Sequence, residues 1–458
     1  MSTTTLKNIS PFLILAIVAI AALFVPTALP TFDETKYNTA DIAWILVATA
    51  LVFLMTPGLA FFYGGMVHRK NILSTMMKSV VAAGVVGVLW IIVGYSLCFG
   101  ESVKGVIGNP FTHFMYKGVT TGAPWVAAGT IPKSLFSVFQ LMFAIITPGL
   151  VVGAIAERIR FTAYVLFTVL FSLLIYAPLA HWSWHPDGFL AKMGALDFAG
   201  GTVVHISAGC AALAGALVLK PRKAHGTEHV PSNIPYILIG TGLLWFGWFG
   251  FNAGSALASN SLAVSAFSTT NTAAAAAGLS WMFFDVLRGK KPSVIGFCVG
   301  AVVGLVAITP GAGFVAVPQS IFIGVLASVI SNIAVQIKSK TSLDDTLDVF
   351  PCHGIGGMVG MLLTGVFATK AINAAGNNGL AYGNASFFFT QFKAMLIVVV
   401  YSFTVSFLIF KLINIIVPVR VSKEEEEEGL DSSQHNEKYI QGTLLVSSPE
   451  GLKEKELV

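Results

Sequence analysis

The sequence predicts an all-α polytopic membrane protein with eleven transmembrane helices, arranged as two inverted five-helix halves plus a final long helix. Composition is the first observation: 55% of the 458 residues are hydrophobic, only 11% are charged, and the mean hydropathy is +0.79. The second is a succession of apolar segments long enough to cross a bilayer, where a helix satisfies its own backbone polar groups. The third is the pairing of an acid with a histidine at two of these segments. Together these observations exclude an ordinary soluble protein.

The apolar segments run from residue 41 to residue 416. They lie near 41–66, 79–100, 135–156, 161–181, 198–219, 235–257, 264–287, 293–309, 318–337, 350–369 and 388–416. An odd number leaves room for two five-helix repeats of opposite topology and one further helix, an arrangement that many transporters use.

Basic residues determine the predicted orientation. Fifteen Lys and Arg residues lie at segment ends on one side of the membrane, and six lie on the other side after the first segment. The larger set is Arg69, Lys70, Lys78, Arg158, Arg160, Lys220, Arg222, Lys223, Arg288, Lys290, Lys291, Lys338, Lys340, Arg420 and Lys423. Because the more basic side faces the cytoplasm, the 41–66 segment begins outside the cell and the chain ends in the cytoplasm. The predicted location is the cell membrane.

Both ends of the chain differ from the predicted membrane domain, 41–419. Residues 1–30 carry an apolar run, Pro11–Phe24, which predicts a secretory signal peptide. Because no clear Ala-x-Ala cleavage pattern follows, an additional N-terminal span is the alternative. Residues 420–458 contain the acidic run Glu424–Glu428 and few apolar residues. They predict a solvated cytoplasmic tail.

The fifth segment contains an acid and a histidine, Asp197 and His205. An ionisable group inside a membrane is costly and therefore indicates a functional site. Eight residues separate the two, about 12 Å of helix rise, so the acid lies near one mouth of the bilayer and the imidazole near its middle. Gly200, Gly201 and Gly209 allow a neighbouring helix to approach. The alternative is a helix-capping aspartate and an ordinary buried histidine.

The tenth segment repeats the pattern with Asp348 and His353, again among glycines. Matching positions in two inverted halves would bring His205 and His353 together at the midplane, where two imidazoles can share one proton. Two separate core histidines are the alternative. A metal site is disfavoured because no suitable third ligand lies nearby, so no metal and no cofactor are expected.

Aromatic residues mark the same part of the predicted bundle. Phe139 and Phe143 lie one turn apart on the third segment, and Trp184 lies at the outer end of the fourth. Phe251 and Ser255 lie on the sixth segment, beside glycines that keep the helix open. Core packing or an interfacial aromatic belt is the alternative for each ring.

From about Asp41 to Arg420 the chain resembles the ammonium transporter family, in the Amt branch of the Amt/Rh superfamily. The matching pieces are Pro57-Gly-Leu-Ala-Phe-Phe-Tyr63-Gly-Gly, Ala156-Glu-Arg-Ile-Arg-Phe161, Asp197-Phe-Ala-Gly-Gly-Thr-Val-Val-His205, Gly247-Trp-Phe-Gly-Phe-Asn-Ala-Gly-Ser255 and Asp348-Val-Phe-x-x-His353-Gly. The resemblance implies an eleven-span homotrimer with one narrow pore in each subunit, and a transporter rather than an enzyme.

The resemblance also implies roles for individual residues. An outer recruitment site for ammonium, or its analogue methylammonium, falls on Phe139, Phe143, Trp184 and Ser255. A phenylalanine gate beneath it falls on Phe143 and Phe251, the pore histidines are His205 and His353, and Asp197 matches an essential acid that shapes the outer site. Trp184 departs most from the family pattern, because the following His-Pro-Asp-Gly replaces a glycine-rich run.

The expected mechanism is deprotonation of ammonium at the outer site and conduction of ammonia past the twin histidines, with the proton following in an electrogenic cycle. The resemblance implies a PII-type regulatory partner of the GlnK kind at the cytoplasmic face, and the tail stretch Glu428–His435 is similar to the family's ending. The alternative is an ammonium sensor with low flux that signals through a cytoplasmic partner. No nucleic-acid partner is expected.

Overall fold

The computed structural model describes residues 3–25, 34–121, 123–227 and 230–439. Part of the predicted signal peptide, 26–30, therefore lies outside the described residues, and so does the tail beyond residue 439. Whether the N-terminal segment is cleaved stays a prediction, as does the division of the chain into domains.

Helices dominate the described ranges. The α-helices are α1 (Thr3–Ala22), α2 (Thr39–Met66), α3 (Ile72–Leu89), α4 (Tyr95–Phe99), α5 (Lys133–Ile155), α6 (Phe161–Phe171), α7 (Ala177–Trp184), α8 (Phe189–Lys192), α9 (Ser207–Leu219), α10 (Ile234–Trp248), α11 (Ser261–Leu287), α12 (Val294–Ile308), α13 (Val317–Ser339), α14 (Gly356–Phe367), α15 (Ala385–Ile416), α16 (Lys423–Glu428) and α17 (Leu430–His435). π-helical turns occupy Trp90–Gly94, Ser172–Tyr176, Gly201–Ile206, Phe249–Ala253 and Phe350–Ile355. One small antiparallel sheet pairs β1 (Ser102–Val103) with β2 (Ile107–Gly108).

The helices confirm the all-α membrane fold. Within the described ranges nine helical spans are long and apolar enough to cross a bilayer. They are Thr39–Met66, Arg69–Phe99, Lys133–Ile155, Phe161–Lys192, Gly201–Leu219, Ile234–Ala253, Val317–Ser339, Phe350–Phe367 and Ala385–Ile416. The two remaining predicted segments are also helical, as the long α11 and the shorter α12. The count of eleven membrane crossings stays a prediction.

Glycines let α2 and α10 pack closely together. A Cβ added at Gly250 would lie 2.6 Å from the carbonyl oxygen of Ala48, and one at Gly247 would lie 2.3 Å from the Met55 side chain. The space beside these glycines is therefore filled by α2. The expectation that they leave the helix open next to Phe251 is wrong, because helix packing uses that space.

The prediction of a solvated tail is only partly right for residues 420–439, because Lys423, Glu424 and Glu428 are exposed whereas Glu426 and Asp431 are buried. Helices α16 and α17 pack against one end of the bundle, which we call the tail face. Arg160 forms an ion pair with Glu425 at 3.0 Å, and the Asp431 carboxylate accepts the backbone N–H of Ser74 at 2.7 Å. A composition rich in glutamate suggested solvation, but these acids are satisfied by basic side chains and by the open N-terminal turn of α3.

Candidate functional site

Three of the four predicted outer-site residues line a common chamber of about 380 Å³, whereas the fourth, Phe139, is fully buried and packs against the Phe143 ring. Phe143, Trp184 and Ser255 all contribute to its wall. Phe143 lies twelve residues before the end of α5, about 18 Å along the helix axis. Just beyond that end, Ile159 pairs with Arg420 of the tail. The chamber therefore lies toward the end of the bundle opposite the tail face.

Aromatic rings form the floor of the chamber. The Phe143 and Phe251 rings lie 4.2 Å apart between centroids, with planes inclined by 30°. Phe139 contacts Phe143 edge to face at 5.0 Å, and Trp184 does so at 5.9 Å. Phe143 and Phe251 are almost completely buried, so these two rings separate the chamber from the interior beneath.

Hydrogen bonds orient the two polar members of the chamber wall. The Trp184 indole N–H donates to the carbonyl oxygen of Asp197 at 3.1 Å, which fixes the ring beside Phe143. The Ser255 hydroxyl donates to the carbonyl oxygen of Phe251 at 2.8 Å. The only proton of the hydroxyl is used in this bond, so the oxygen faces a further ligand as an acceptor through its lone pairs.

Asp197 caps the helix that carries His205. Its carboxylate accepts the backbone N–H groups of Gly200, Gly201 and Thr202 at 2.7 to 2.8 Å, and also the Thr202 hydroxyl. Gly200 adopts φ +114°, a conformation that glycine adopts readily. The capping interpretation of Asp197 is therefore correct. Its charge is held at the chamber wall by backbone donors, which leaves few lone pairs for a ligand.

The two predicted histidines meet in the middle of the bundle. Nδ1 of His205 lies 3.4 Å from Nδ1 of His353, and both side chains are buried. One Nδ1 must donate and the other accept, so in a neutral pair one ring presents a bare Nε2 and the other an Nε2–H. Among the described residues, Nε2 of His205 has no hydrogen-bond partner. The pair can therefore both accept and donate a hydrogen bond.

A very small apolar cavity adjoins the histidines. Its volume is about 10 Å³, which is about the space for one water-sized molecule. Its wall combines both histidines with apolar side chains, including Phe251, Trp248 and Leu59. The Trp248 ring stacks on His205 at 5.3 Å. In the described ranges no three His, Cys, Asp or Glu side chains lie close enough to hold a metal ion.

Asp345, which the sequence analysis missed, is the counterpart of Asp197 in the second half. Its carboxylate accepts the backbone N–H groups of Val349 at 3.0 Å and Phe350 at 2.7 Å. It precedes His353 by eight residues, the spacing that separates Asp197 from His205. The pairing of Asp197 with Asp348 is therefore wrong. The equal spacing was the signal that could have identified Asp345.

The two capped helices approach the histidines from opposite ends of the bundle. Asp197 lines the chamber. Asp345 lies at the opposite end, near the tail face, because the neighbouring Leu347 donates its N–H to the carbonyl oxygen of Gly153 near the end of α5. Where the helices cross, a Cβ added at Gly209 would lie 2.3 Å from the Cα of Gly354. Backbone thus touches backbone, as expected of two inverted halves that meet at a central site.

The Ala156–Phe161 motif contributes to a charge cluster on the tail face. Glu157 lies 2.8 Å from Nδ1 of His68 and 2.6 Å from Nη1 of Arg222. Arg222 also binds Asp344 at 2.8 Å. Burial by itself raises the pKa of Glu157, but the His68 hydrogen bond and the Arg222 charge outweigh it and lower the pKa to about 2. The cluster therefore holds a buried carboxylate in its charged form.

A helical bundle that spans a membrane, with a chamber, an aromatic floor and a buried histidine pair on one path, defines a small-solute transport protein. Residues 43–440 match the model of the Ammonium Transporter Family. The chain is 48% identical over 409 residues to an ammonium transporter of Aquifex aeolicus, covering 89% of this chain and 94% of that protein. It belongs to the ammonium transporter family, and it is a multi-pass membrane protein.

Solved structures agree with this assignment. The crystal structure of Saccharomyces cerevisiae Mep2 superposes with a TM-score of 0.81 at 35% identity, covering 86% of this chain and 90% of that one. A structure described as a sensor Amt protein superposes with a TM-score of 0.79 at 30% identity, covering 86% of this chain and 98% of that one.

Proposed function

We propose that this ammonium transporter captures the ion in the chamber, removes its proton there, and conducts ammonia past His205 and His353. The observation that carries the proposal is the cavity of about 10 Å³ at the histidines, which admits about one small molecule and is otherwise apolar. A hydrated cation does not fit such a space, whereas a neutral molecule of water size does.

Selection against potassium follows from the chemistry of the chamber. Aromatic faces stabilise a desolvated cation by about 2 kcal/mol each, and Phe143 and Trp184 supply such faces at the chamber wall. Ser255 can accept a hydrogen bond, which ammonium donates and potassium cannot. Beneath the floor a bare cation meets an apolar wall at a cost of several kcal/mol. Ammonium avoids that cost by releasing a proton, and potassium has no equivalent step.

The other pore residues act on the solute after it leaves the chamber. Phe143 and Phe251 act as a gate, since the 4.2 Å ring contact must open for a solute to pass. The bare Nε2 of the histidine pair takes up the proton that ammonium releases and relays it, while the pair exchanges hydrogen bonds with the ammonia. Asp197 orders the chamber through the helix end that it caps. Transport is electrogenic if the relayed proton crosses with the ammonia, and we propose that it does.

Replacement of both pore histidines tests the relay. The double variant His205→Ala, His353→Ala should lose most of the ammonium-driven current of purified protein on a supported membrane, because no group in the apolar pore can then carry the proton. His113→Ala is the matched control, since that ring lies outside the pore, where its Nδ1 bonds to the carbonyl oxygen of Lys117. Undiminished current and undiminished selectivity over potassium in the double variant would contradict the relay.

Location and assembly belong to the same proposal. Basic residues favour the tail face as the cytoplasmic side of the cell membrane, where a PII-type partner of the GlnK kind would bind. The family resemblance is the ground for proposing a homotrimer. An exposed, mostly apolar groove of about 650 Å³ along α11 and α13 offers a surface for such a contact, where the small side chains of Ala275 and Ala276 lie beside larger ones such as Phe283 and Leu287.

A sensor is the second candidate function, because one of the similar structures is described as a sensor Amt protein. The two functions differ in flux. A sensor binds ammonium in the chamber and passes little current, whereas a transporter gives sustained currents that saturate with ammonium concentration. Current per protein from the supported membrane distinguishes them.

A further inference from the structure

Gln140 is a buried polar side chain of the chamber that the transport scheme leaves without a role. It lies on α5, one residue after Phe139 and three before Phe143, so it shares the Phe143 face of the helix. It lines the chamber together with Trp184 and Ser255, and only 8% of the residue is exposed.

The amide oxygen of this glutamine lacks a donor. Among the residues that the structure describes, Oε1 of Gln140 is buried and has no hydrogen-bond partner. An unmatched buried acceptor costs free energy, and such atoms in native proteins generally meet a ligand, an ion or an ordered water molecule. Gln140 lines the chamber, and rotation of its terminal amide exchanges the positions of the oxygen and the NH₂ group. The oxygen can therefore turn to accept an N–H group of a cation in the chamber.

Gln391 shows what a purely structural glutamine looks like in the same protein. Its Oε1 accepts the N–H of Leu196 at 2.7 Å, and its Nε2 donates to the carbonyl oxygen of Leu196 at 2.9 Å. The backbone thus occupies both ends of that amide. The oxygen of Gln140 has no such partner in the described part of the chain.

We infer that Gln140 is a specificity-determining residue of the chamber, whose amide oxygen accepts a hydrogen bond from ammonium alongside the Ser255 hydroxyl. The inference rests on the proposed function. Ammonium carries four directed N–H groups, so two oxygens and the aromatic faces satisfy it well. Potassium has no directed donors and prefers a shell of many oxygens, so the same two oxygens leave it poorly coordinated.

Two variants of Gln140 test the inference in the full-length protein, reconstituted and measured as current on a supported membrane. Gln140→Met keeps the length of the side chain and removes the oxygen. It should raise the ammonium concentration for half-maximal current about tenfold or more, the loss expected for a hydrogen bond to a charged group. Gln140→Glu keeps an oxygen and adds charge, so it should lower that concentration and make potassium a competitor. Gln319→Met is the matched control, since Gln319 is outside the chamber and bonds to Tyr382.

The outcomes separate the inference from the proposed function. Half-maximal current at the wild-type concentration in Gln140→Met would overturn the role of Gln140 while leaving ammonium transport intact. If that variant does not reach the membrane, Gln140→Glu decides: an unchanged ammonium response without potassium competition overturns the inference. Absence of ammonium current from the wild-type protein would refute the proposed function and with it the inference.

Discussion

Replacing Asp197 by asparagine should destabilise the protein and stop conduction, because the carboxylate closes the open end of a helix inside the membrane. One oxygen accepts the N–H groups of Gly200 and Gly201, and the other accepts the N–H and hydroxyl of Thr202. Asparagine keeps one oxygen for the N–H groups of Gly200 and Gly201. Its NH₂ group, which cannot accept a hydrogen bond, then faces the N–H and hydroxyl of Thr202. Two donors that lose their partner cost about 1–3 kcal/mol each. The total of about 2–6 kcal/mol is a large part of a typical net stability of about 5–15 kcal/mol.

The measurement is the thermal unfolding temperature of the detergent-solubilised variant, taken together with its ammonium current. Thr202→Ala is the control, because it removes one donor to the carboxylate, at a cost of about 1.5–3 kcal/mol, and leaves no donor unpaired in the capped helix end. Asp197→Asn should unfold at a clearly lower temperature than Thr202→Ala. Equal unfolding temperatures in the two variants, with current preserved in both, would refute the capping account.

Three further perturbations have defined outcomes. Trp184→Leu should raise the methylammonium concentration for half-maximal uptake about thirtyfold, since it removes one aromatic face worth about 2 kcal/mol; an unchanged uptake curve would indicate that Trp184 serves only in packing. Gly209→Ala should prevent assembly of the bundle, because the added Cβ would lie 2.3 Å from the Gly354 backbone; a folded variant with normal current would contradict that contact. The folded-state pKa of Glu157 is about 2 against a usual 4.5, so the His68 hydrogen bond and the Arg222 charge together stabilise the fold by up to about 3 kcal/mol above pH 4.5, and this is lost as the pH falls toward 2. Glu157→Gln should therefore flatten the fall in unfolding temperature between pH 4.5 and 2, and an unaltered acid profile would argue against this ion pair.

Much of the site could be predicted because charge and polarity inside a membrane are conspicuous. His205 and His353 stand out in apolar helices, and the glycines around them predicted the close contact that the structure contains at Gly209 and Gly354. The fold class followed from composition and segment length for the same reason.

Other features depend on tertiary contacts that local patterns do not record. The sequence pattern points to Asp348 beside His353, whereas capping depends on which carboxylate faces the helix end, and that carboxylate belongs to Asp345. The tail was predicted to be solvated because a run of glutamates gives no indication that Arg160 lies within 3.0 Å of Glu425. The unmatched oxygen of Gln140 becomes visible only when its neighbours are in place.

The bare contact between Gly209 and Gly354 also bears on how the molecule completes a cycle. Transporters that open alternately to two sides rock one half against the other, on a microsecond-to-millisecond timescale. In this protein such a movement would separate the Gly209 and Gly354 backbones and pull the His205 and His353 rings apart. We expect the halves to remain locked while solute passes, so that throughput reflects residence in the conduit. We therefore expect channel-like conduction and not alternating access.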